Sequence, residues 1–271
     1  MTLVDVGNGV RLNVVEQGAG KPILLVHGWP TNSRAWKHQL DALSREHRVL
    51  AVDLRGFGDS PPVVPPTIAV LAEDAKRLID ALGLTDVFLV GWSMGGCVVM
   101  SYCEQFGAHG LRAIGIVDVT PKLLPAEDWP VGIGTPFSAE GLGDWSGRWE
   151  RDARSVANDV YTMGFKDPAA HSAEVEWLVA ESLRADHATA MVALLDAFAC
   201  DFRAGLARLE VPALLLYGAA STSTTPGVRE FMERTIPRAR LVVFEESGHV
   251  PMVEERELFN RALDEFAKEV A

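Results

Sequence analysis

The stretch 91–95 reads Gly-Trp-Ser-Met-Gly and matches the pattern G-x-S-x-G. An apolar run at 87–90 precedes it and a helix-like run at 96–106 follows, so the sequence predicts a strand, a tight turn and a helix. In such a turn the serine has a strained backbone, and its hydroxyl points into a pocket beyond the strand. We therefore predict that Ser93 is a nucleophile. The Met94 N–H, at the start of the helix, is expected to help hold an oxyanion.

Size and charge limit the classes of partner. The chain has 271 residues, of which 48% are hydrophobic and 23% charged, as expected for one large soluble domain with an insertion. Its net charge of −12 argues against binding to nucleic acid or to anionic membranes. The same charge favours a neutral or cationic small molecule as the ligand.

Cysteine use and the first residues of the chain indicate the compartment. The three cysteines, Cys97, Cys103 and Cys200, show no C-x-x-C spacing, so we expect neither a disulfide nor a zinc site. The first residues lack the basic and apolar segments of a signal peptide. No apolar run is long enough to span a bilayer. We therefore expect a cytoplasmic protein that uses no metal and no cofactor.

Strand and helix patterns alternate along most of the chain. Short β-rich runs lie at 2–6, 10–16, 22–26, 48–52, 87–90, 111–119, 213–217 and 239–244. Helical patterns lie at 33–45, 67–82, 96–106, 227–235 and 255–270. Alternation of this kind predicts an α/β fold with a mostly parallel, doubly wound sheet and helices on both faces.

The alternation stops between residues 121 and 206, where no convincing strand pattern is found. This part of the chain shows helical patterns at 145–163, 173–185 and 188–206. We predict that 121–206 form a helical cap, inserted into a core made of 1–120 and 207–271. Ligands of open α/β sheets bind beyond the carboxyl ends of the strands, so the cap is expected to cover that edge.

Three further motifs surround the serine turn in sequence. They are His-Gly-Trp-Pro at 27–30, Asp-Leu-Arg-Gly-Phe-Gly-Asp-Ser at 53–60 and Ser-Gly-His at 247–249. Together with the turn at 91–95 they make the chain resemble the α/β-hydrolase-fold superfamily with a helical cap, over essentially its whole length. The resemblance implies a nucleophile, acid and histidine triad, and it says much less about the substrate.

A serine hydroxyl needs a base within hydrogen-bonding reach before it can act as a nucleophile. Of the seven histidines, His249 lies in a glycine-containing loop just after a strand, and it matches the catalytic histidine of the superfamily. We predict that His249 is the base. His27 precedes the glycine of the oxyanion loop, and we expect it to bind loop backbone. The other five lie in contexts typical of solvated or locally bonded side chains: His38, His47, His109, His171 and His187.

The acid is the point at which the sequence departs from the superfamily pattern. Most members that this chain resembles place an Asp three residues after the glycine that ends the strand at 213–217. Here that glycine is Gly218, the third residue after it is Ser221, and no Asp or Glu occurs from 211 to 229. The usual acid is therefore missing from the usual loop.

Asp118 is the best replacement for the missing acid. It follows the strand next to the nucleophile strand and enters the same crevice, and the chain order Ser93, Asp118, His249 still runs nucleophile, acid, base. Asp118 could instead be an N-cap or turn residue, because Asp is common there. Asp196 and Asp201, on the last cap helix, are further alternatives.

The second oxyanion donor is expected from the loop after the third strand, where the Trp29 N–H has the right position. Trp29 is also expected to line the pocket. A tryptophan on a helix most often packs in a core, but as a group these residues indicate an aromatic pocket suited to an apolar or ring-bearing ligand. The predicted substrate-binding residues are Trp29, Trp92, Trp129, Trp145, Trp149 and Trp177.

These residues favour a serine hydrolase that cleaves an ester or lactone through an acyl-enzyme. The stretches 118–124 and 218–222 resemble those of zearalenone-type lactonases, which also place their acid after this strand. The oxyanion loop and aromatic insertion resemble cofactor-independent 3-hydroxy-4-quinolone dioxygenases, in which a His/Asp dyad deprotonates the substrate. A third possibility is a ligand receptor with slow turnover.

Overall fold

The computed structural model describes residues 2–64, 66–132 and 139–271. Residues 133–138 of the predicted cap lie outside the described residues. Eight strands form one sheet in the order β1-β2-β4-β3-β5-β6-β7-β8. Their bounds are β1 Thr2–Asp5, β2 Arg11–Gln17, β3 Pro22–Val26, β4 Arg48–Val52, β5 Val87–Trp92, β6 Leu111–Val117, β7 Ala213–Gly218 and β8 Ala239–Phe244.

The sheet is mostly parallel, as predicted. β2 runs antiparallel to both β1 and β4, and every pairing from β4 through β8 is parallel. All residues of β3, β5 and β7 are buried because helices cover both faces of the central sheet. The strand β5, which leads to Ser93, lies between β3 and β6 at the centre of this core.

Eleven α-helices are found in the described ranges, together with a short 3₁₀ helix at Ser33–Trp36. The α-helices are α1 Lys37–Leu43, α2 Ile68–Ala81, α3 Met94–Phe106, α4 Ala139–Arg151, α5 Ala153–Gly164, α6 Ser172–Ser182, α7 His187–Ala199, α8 Arg203–Leu206, α9 Pro226–Thr235, α10 Pro251–Glu254 and α11 Arg256–Glu269.

Three predicted helices are each divided in two. The predicted helix at 145–163 is interrupted at Asp152, whose carboxylate accepts a hydrogen bond from the Ser155 N–H and starts α5. The predicted helix at 188–206 is interrupted at Cys200, which has an extended backbone. The predicted helix at 33–45 is likewise a 3₁₀ helix followed by α1, whereas the helix predicted at 255–270 is the single helix α11, with the short α10 before it. At Asp152 the capping carboxylate satisfies a backbone N–H that a longer helix would have paired internally.

The segment of helices α4 to α7 lies at the carboxyl edge of the sheet. Several polar contacts join it to the loops there. The Asp186 N–H donates to the Gly56 carbonyl at 2.7 Å. Glu181 of α6 pairs with Arg34 at 3.1 Å, and Asp59 pairs with both Arg34 and Arg184. These contacts fasten the helices from the middle of the chain to the core. The domain division at residues 120 and 207 stays a prediction.

Among the described residues, no helix is both long and apolar enough to cross a membrane. The three cysteines are free, and Cys97 is fully buried on α3.

Candidate active site

Ser93 lies in a sharp turn between β5 and α3. Its backbone has φ 53° and ψ −121°, a left-handed conformation that costs a non-glycine residue about 1–3 kcal/mol. The Ser93 N–H donates to the Val117 carbonyl of the neighbouring strand at 2.9 Å, which helps to hold the turn. Because α3 begins at Met94, the unpaired N–H groups of its first turn lie directly beside the serine.

The turn requires glycine on both sides of the serine. A Cβ atom at Gly91 would lie 2.1 Å from the Gly95 carbonyl oxygen, and one at Gly95 would lie 2.4 Å from the Val26 carbonyl oxygen. A Cβ at Gly28 of the oxyanion loop would approach the Ser93 Cβ to 3.0 Å. The glycines of the G-x-S-x-G pattern are therefore needed because neighbouring backbone segments leave no room for a Cβ atom.

Asp118 directly follows β6 and is fully buried. Its backbone φ of 43° is also left-handed. The carboxylate Oδ1 accepts hydrogen bonds from the Ser221 hydroxyl and the Thr224 hydroxyl, both at 2.8 Å, and Oδ2 accepts from the Gly218 N–H at 3.1 Å. The loop that lacks the usual acid thus supplies three donors to the carboxylate of Asp118, which satisfy oxygens that burial removes from water.

The structure brings His249 next to this carboxylate. The His249 Nδ1 lies 3.5 Å from the Asp118 Oδ1, which is longer than an N–H···O hydrogen bond. Nδ1 is buried and has no hydrogen-bond partner among the described residues. Contacts of this kind are often long without a ligand and tighten when substrate binds, so the arrangement fits an acid that orients a base.

The backbone of His249 is held from two directions. Its N–H donates to the Gly164 carbonyl at the end of α5, at 2.5 Å. Its carbonyl accepts from the Trp92 Nε1–H at 2.8 Å, and the Trp92 and imidazole ring centroids are 5.5 Å apart. Trp92 is almost completely buried, and both of these contacts join it to His249.

His27 binds the backbone of the loop after β3, the predicted oxyanion loop, as the sequence analysis expected. Its Nδ1 lies 2.9 Å from the Gly28 carbonyl, and its Nε2 accepts from the Leu54 N–H at 3.1 Å. These partners require a neutral imidazole with the proton on Nδ1. Complete burial lowers the pKa of His27, which keeps the ring in that form.

Trp29 connects the oxyanion loop to the helices above it. Its indole N–H donates to the Ala190 carbonyl of α7 at 2.9 Å. Its ring centroid lies 4.9 Å from that of Trp149 and 6.1 Å from that of Trp145, both on α4. Trp29, Trp145 and Trp149 therefore form one aromatic cluster at the cap side of the oxyanion loop.

Two of the predicted pocket tryptophans pack elsewhere. The Trp129 ring packs edge-on against Phe231 of α9, with centroids 4.9 Å apart, and its indole N–H donates to the Lys122 carbonyl. The Trp177 ring lies under the Lys37 ammonium at 3.5 Å. Substrate contact stays a prediction for all six tryptophans.

The alternative acids have other partners. Asp196 accepts from the Ile68 N–H at 2.7 Å, so it caps α2. Asp201 pairs with Arg203 at 2.7 Å, and this hydrogen bond lowers the pKa of Asp201 to about 2. Within the described ranges, no group of three or more His, Cys, Asp or Glu side chains could hold a metal ion.

The hydroxyl donors to Asp118 were not anticipated from the sequence. Ser221 and Thr224 follow β7 and reach Asp118 across about a hundred residues of chain. The one available signal was that Ser221 occupies the position where the superfamily pattern places its acid.

The chain is similar to known proteins over most of its length. A profile of the alpha/beta hydrolase family matches residues 23–262. A pimeloyl-[acyl-carrier protein] methyl ester esterase of Neisseria meningitidis is 29% identical over 254 residues, covering 93% of this chain and 95% of the relative. The non-heme chloroperoxidase CPO-A1 of Kitasatospora aureofaciens is 31% identical over 283 residues, covering 98% and 99%.

Solved structures agree on the fold. An esterase from Exiguobacterium antarcticum superposes with a TM-score of 0.91 at 26% identity, covering 98% of this chain and 99% of the esterase. The family match spans most of the chain and includes β3 to β8 and the Ser93 turn. The chain therefore belongs to the alpha/beta hydrolase family.

Proposed function

We propose that this protein is a serine hydrolase that cleaves a carboxylic ester or lactone with an apolar or ring-bearing acyl part. The observation that carries the proposal is the contact between the Asp118 Oδ1 and the His249 Nδ1, 3.5 Å apart. Through this contact Asp118 can serve as the acid for the base His249, although the usual acid position, residue 221, is a serine. Ser93, in its strained turn, is the nucleophile that this pair serves.

In the first half-reaction the Ser93 Oγ attacks the carbonyl carbon of the substrate, and its proton passes to the His249 Nε2. The C=O π electrons move onto oxygen, and the Met94 and Trp29 N–H groups stabilise the resulting oxyanion. When the oxyanion collapses, the bond to the alkoxy leaving group breaks. The leaving oxygen takes the proton from His249, and an acyl ester on Ser93 is left.

In the second half-reaction a water molecule attacks the acyl carbon while His249 removes its proton. Collapse of the second oxyanion returns the proton to the Ser93 Oγ and releases the carboxylic acid. With a lactone the acid and the alcohol leave as one hydroxy acid. Asp118 keeps the imidazole in the tautomer with the proton on Nδ1 and stabilises the imidazolium formed in both steps.

The comparisons support ester chemistry in general terms. One relative is named a methyl ester esterase and one structural neighbour an esterase, while another relative is named a chloroperoxidase. The aromatic cluster of Trp29, Trp145 and Trp149 supports an apolar or ring-bearing acyl part, because such a cluster binds flat apolar groups well.

The test is hydrolysis of a panel of aryl esters and lactones by the wild-type protein and by Ser93→Ala. We expect turnover by the wild type and a loss of at least about 10³-fold in kcat for the variant. Ser101→Ala is the matched control, since Ser101 is also a buried serine of the same segment and binds Gln105. Unchanged turnover in Ser93→Ala would refute the proposal.

The other activities considered give different results in the same assay. A cofactor-independent dioxygenase would consume O₂ with a 3-hydroxy-4-quinolone, would depend on His249 and would only slow down in Ser93→Ala. A ligand receptor would turn over every member of the panel slowly. An oxygen electrode run beside the absorbance assay separates the three.

A further inference from the structure

The end of α5 contacts two loops of the candidate site, namely the loop after β7, which supplies donors to Asp118, and the loop that carries His249. The Gly164 carbonyl accepts from the His249 N–H, and a Cβ at Gly248 would lie only 2.2 Å from the same oxygen. The Met163 carbonyl accepts from the Thr222 hydroxyl at 3.2 Å, beside the donors to Asp118. We call residues 163–166 the α5 end. Its backbone is in direct contact with the histidine loop, residues 247–249.

Glu254 joins these two segments through one carboxylate. Its Oε2 accepts from the Gly248 N–H at 2.8 Å, and its Oε1 accepts from the Lys166 N–H at 2.7 Å. One oxygen therefore binds the residue before His249, and the other binds the α5 end. Burial raises the pKa of Glu254, as expected for a partly desolvated carboxylate whose charge is stabilised by backbone donors.

The adjacent glutamate has a different role. Glu255 accepts from the Glu246 N–H at 2.9 Å and from the Ser247 hydroxyl at 2.7 Å. Both partners lie before His249, so Glu255 secures the start of the loop without reaching the α5 end. The Lys166 ammonium makes a separate, exposed contact with Glu246 at 2.6 Å, which salt and solvent screen.

We propose that Glu254 is a positioning residue that couples the cap to the catalytic histidine. Its carboxylate holds the α5 end against the histidine loop and thereby sets where the His249 imidazole lies relative to Asp118. A displacement of the α5 end that pulls the Glu254 carboxylate with it, through the bond to Lys166, also displaces Gly248 and moves the base. The catalytic meaning of this coupling rests on the proposed hydrolase function, whereas the coupling itself does not.

The test compares two matched pairs of variants. Glu254→Gln replaces one acceptor oxygen by an amide that faces an N–H group, so one of the two bonds is lost. Glu257→Gln, an exposed glutamate bound to Arg256, is its control. Lys166→Pro removes the N–H donor, and the extended backbone of Phe165 is compatible with a following proline. Lys166→Ala is its control, because it removes the ammonium and keeps the N–H.

Two measurements are made on all four variants. The first is kcat and KM on the best ester of the panel, where we expect kcat to fall about 10-fold to 100-fold in Glu254→Gln and Lys166→Pro. KM should stay within about twofold, since neither residue is placed at the substrate. The second is hydrogen exchange of the Gly248 and His249 amides by NMR, which we expect to accelerate in these two variants and not in the controls.

Failure of the coupling and failure of the proposed hydrolase function give different results. Wild-type kcat and unchanged amide protection in Glu254→Gln would overturn the coupling. Absence of hydrolysis in the wild type would refute the proposed function, and the exchange data would still decide whether Glu254 couples the two segments. If Glu254→Gln fails to fold, Lys166→Pro and Lys166→Ala decide the question alone.

Discussion

The Ser221 hydroxyl donates a 2.8 Å hydrogen bond to the Asp118 carboxylate. Ser221 occupies the position where the superfamily pattern places its acid, while Asp118 lies on the neighbouring strand end, 3.5 Å from the base. One serine in the usual loop and one aspartate after β6 therefore meet at the same point in space. This explains how a chain without the usual acid can still present a carboxylate to His249.

Asp118→Asn tests the relocated acid. We expect kcat for ester hydrolysis to fall by about 10⁴-fold, because an amide favours the wrong tautomer of the histidine. The fold should persist, since an amide is close in size to the carboxylate. The measurement is steady-state kinetics, with circular dichroism as the folding control. A kcat within tenfold of the wild-type value would rule out Asp118 as the acid.

Adding Ser221→Asp to Asp118→Asn is the complementary experiment. A carboxylate at position 221 reaches the region now occupied by the Asp118 Oδ1, because the Ser221 hydroxyl already does so. We expect the double variant to recover at least about tenfold of the kcat lost in Asp118→Asn. The same substitution in the wild-type background should not raise kcat, since two close carboxylates repel each other.

The hydroxyl donors to Asp118 are expected to contribute to stability as well as to geometry. Ser221→Ala and Thr224→Ala each remove a hydrogen bond to a buried carboxylate, which costs about 1–3 kcal/mol of unfolding free energy. Ser223→Ala is the control, because only the Ser223 backbone N–H is seen to contact this network. Urea unfolding measures the effect, and equal midpoints for all three variants would show that these hydroxyls do not support the carboxylate.

His27 predicts a specific dependence of stability on pH. Burial lowers its pKa from the ordinary value of 6.5, so the unfolded chain binds a proton more readily than the native one. The stability that His27 contributes is fully present above pH 6.5 and is lost as pH falls from 6.5 toward its lowered native pKa. The slope is at most about 1.4 kcal/mol per pH unit.

Urea unfolding of the wild type and of His27→Gln between pH 7.5 and 5 makes this measurement. Glutamine can still accept from the Leu54 N–H but does not titrate. We expect the stability difference between the two proteins to shrink as pH falls. Parallel curves over this range would show that His27 is not held neutral in the native state.

The parts of the site that depend on local sequence could be predicted, and those that depend on distant contacts could not. The Ser93 turn was predictable because its glycines and the strand before it are neighbours in sequence. Asp118 could be named as the candidate acid because it follows the next strand of a parallel sheet, where topology brings it near the Ser93 turn. Glu254 gave no such signal, since its partner Lys166 lies 88 residues away.

The tryptophans also show that contacts between distant parts of the chain could not be predicted from the sequence. Composition indicated an aromatic lid, and three of the six do form one cluster, at Trp29. Trp129 and Trp177 pack against Phe231 and Lys37 and do not join this cluster, and their contact with substrate stays a prediction. Which face of a helix meets the pocket depends on how the helices pack, and single-sequence periodicity does not determine that.

Covalent labelling of Ser93 tests the central claim most directly. The wild-type protein and Asp118→Asn are incubated with an aryl-substituted fluorophosphonate, and the modified peptide is identified by mass spectrometry. The account predicts one adduct, on Ser93, that forms at least about 100-fold more slowly in Asp118→Asn because the base is no longer oriented. No adduct on Ser93 in the wild type, or an equal labelling rate in both proteins, would contradict it.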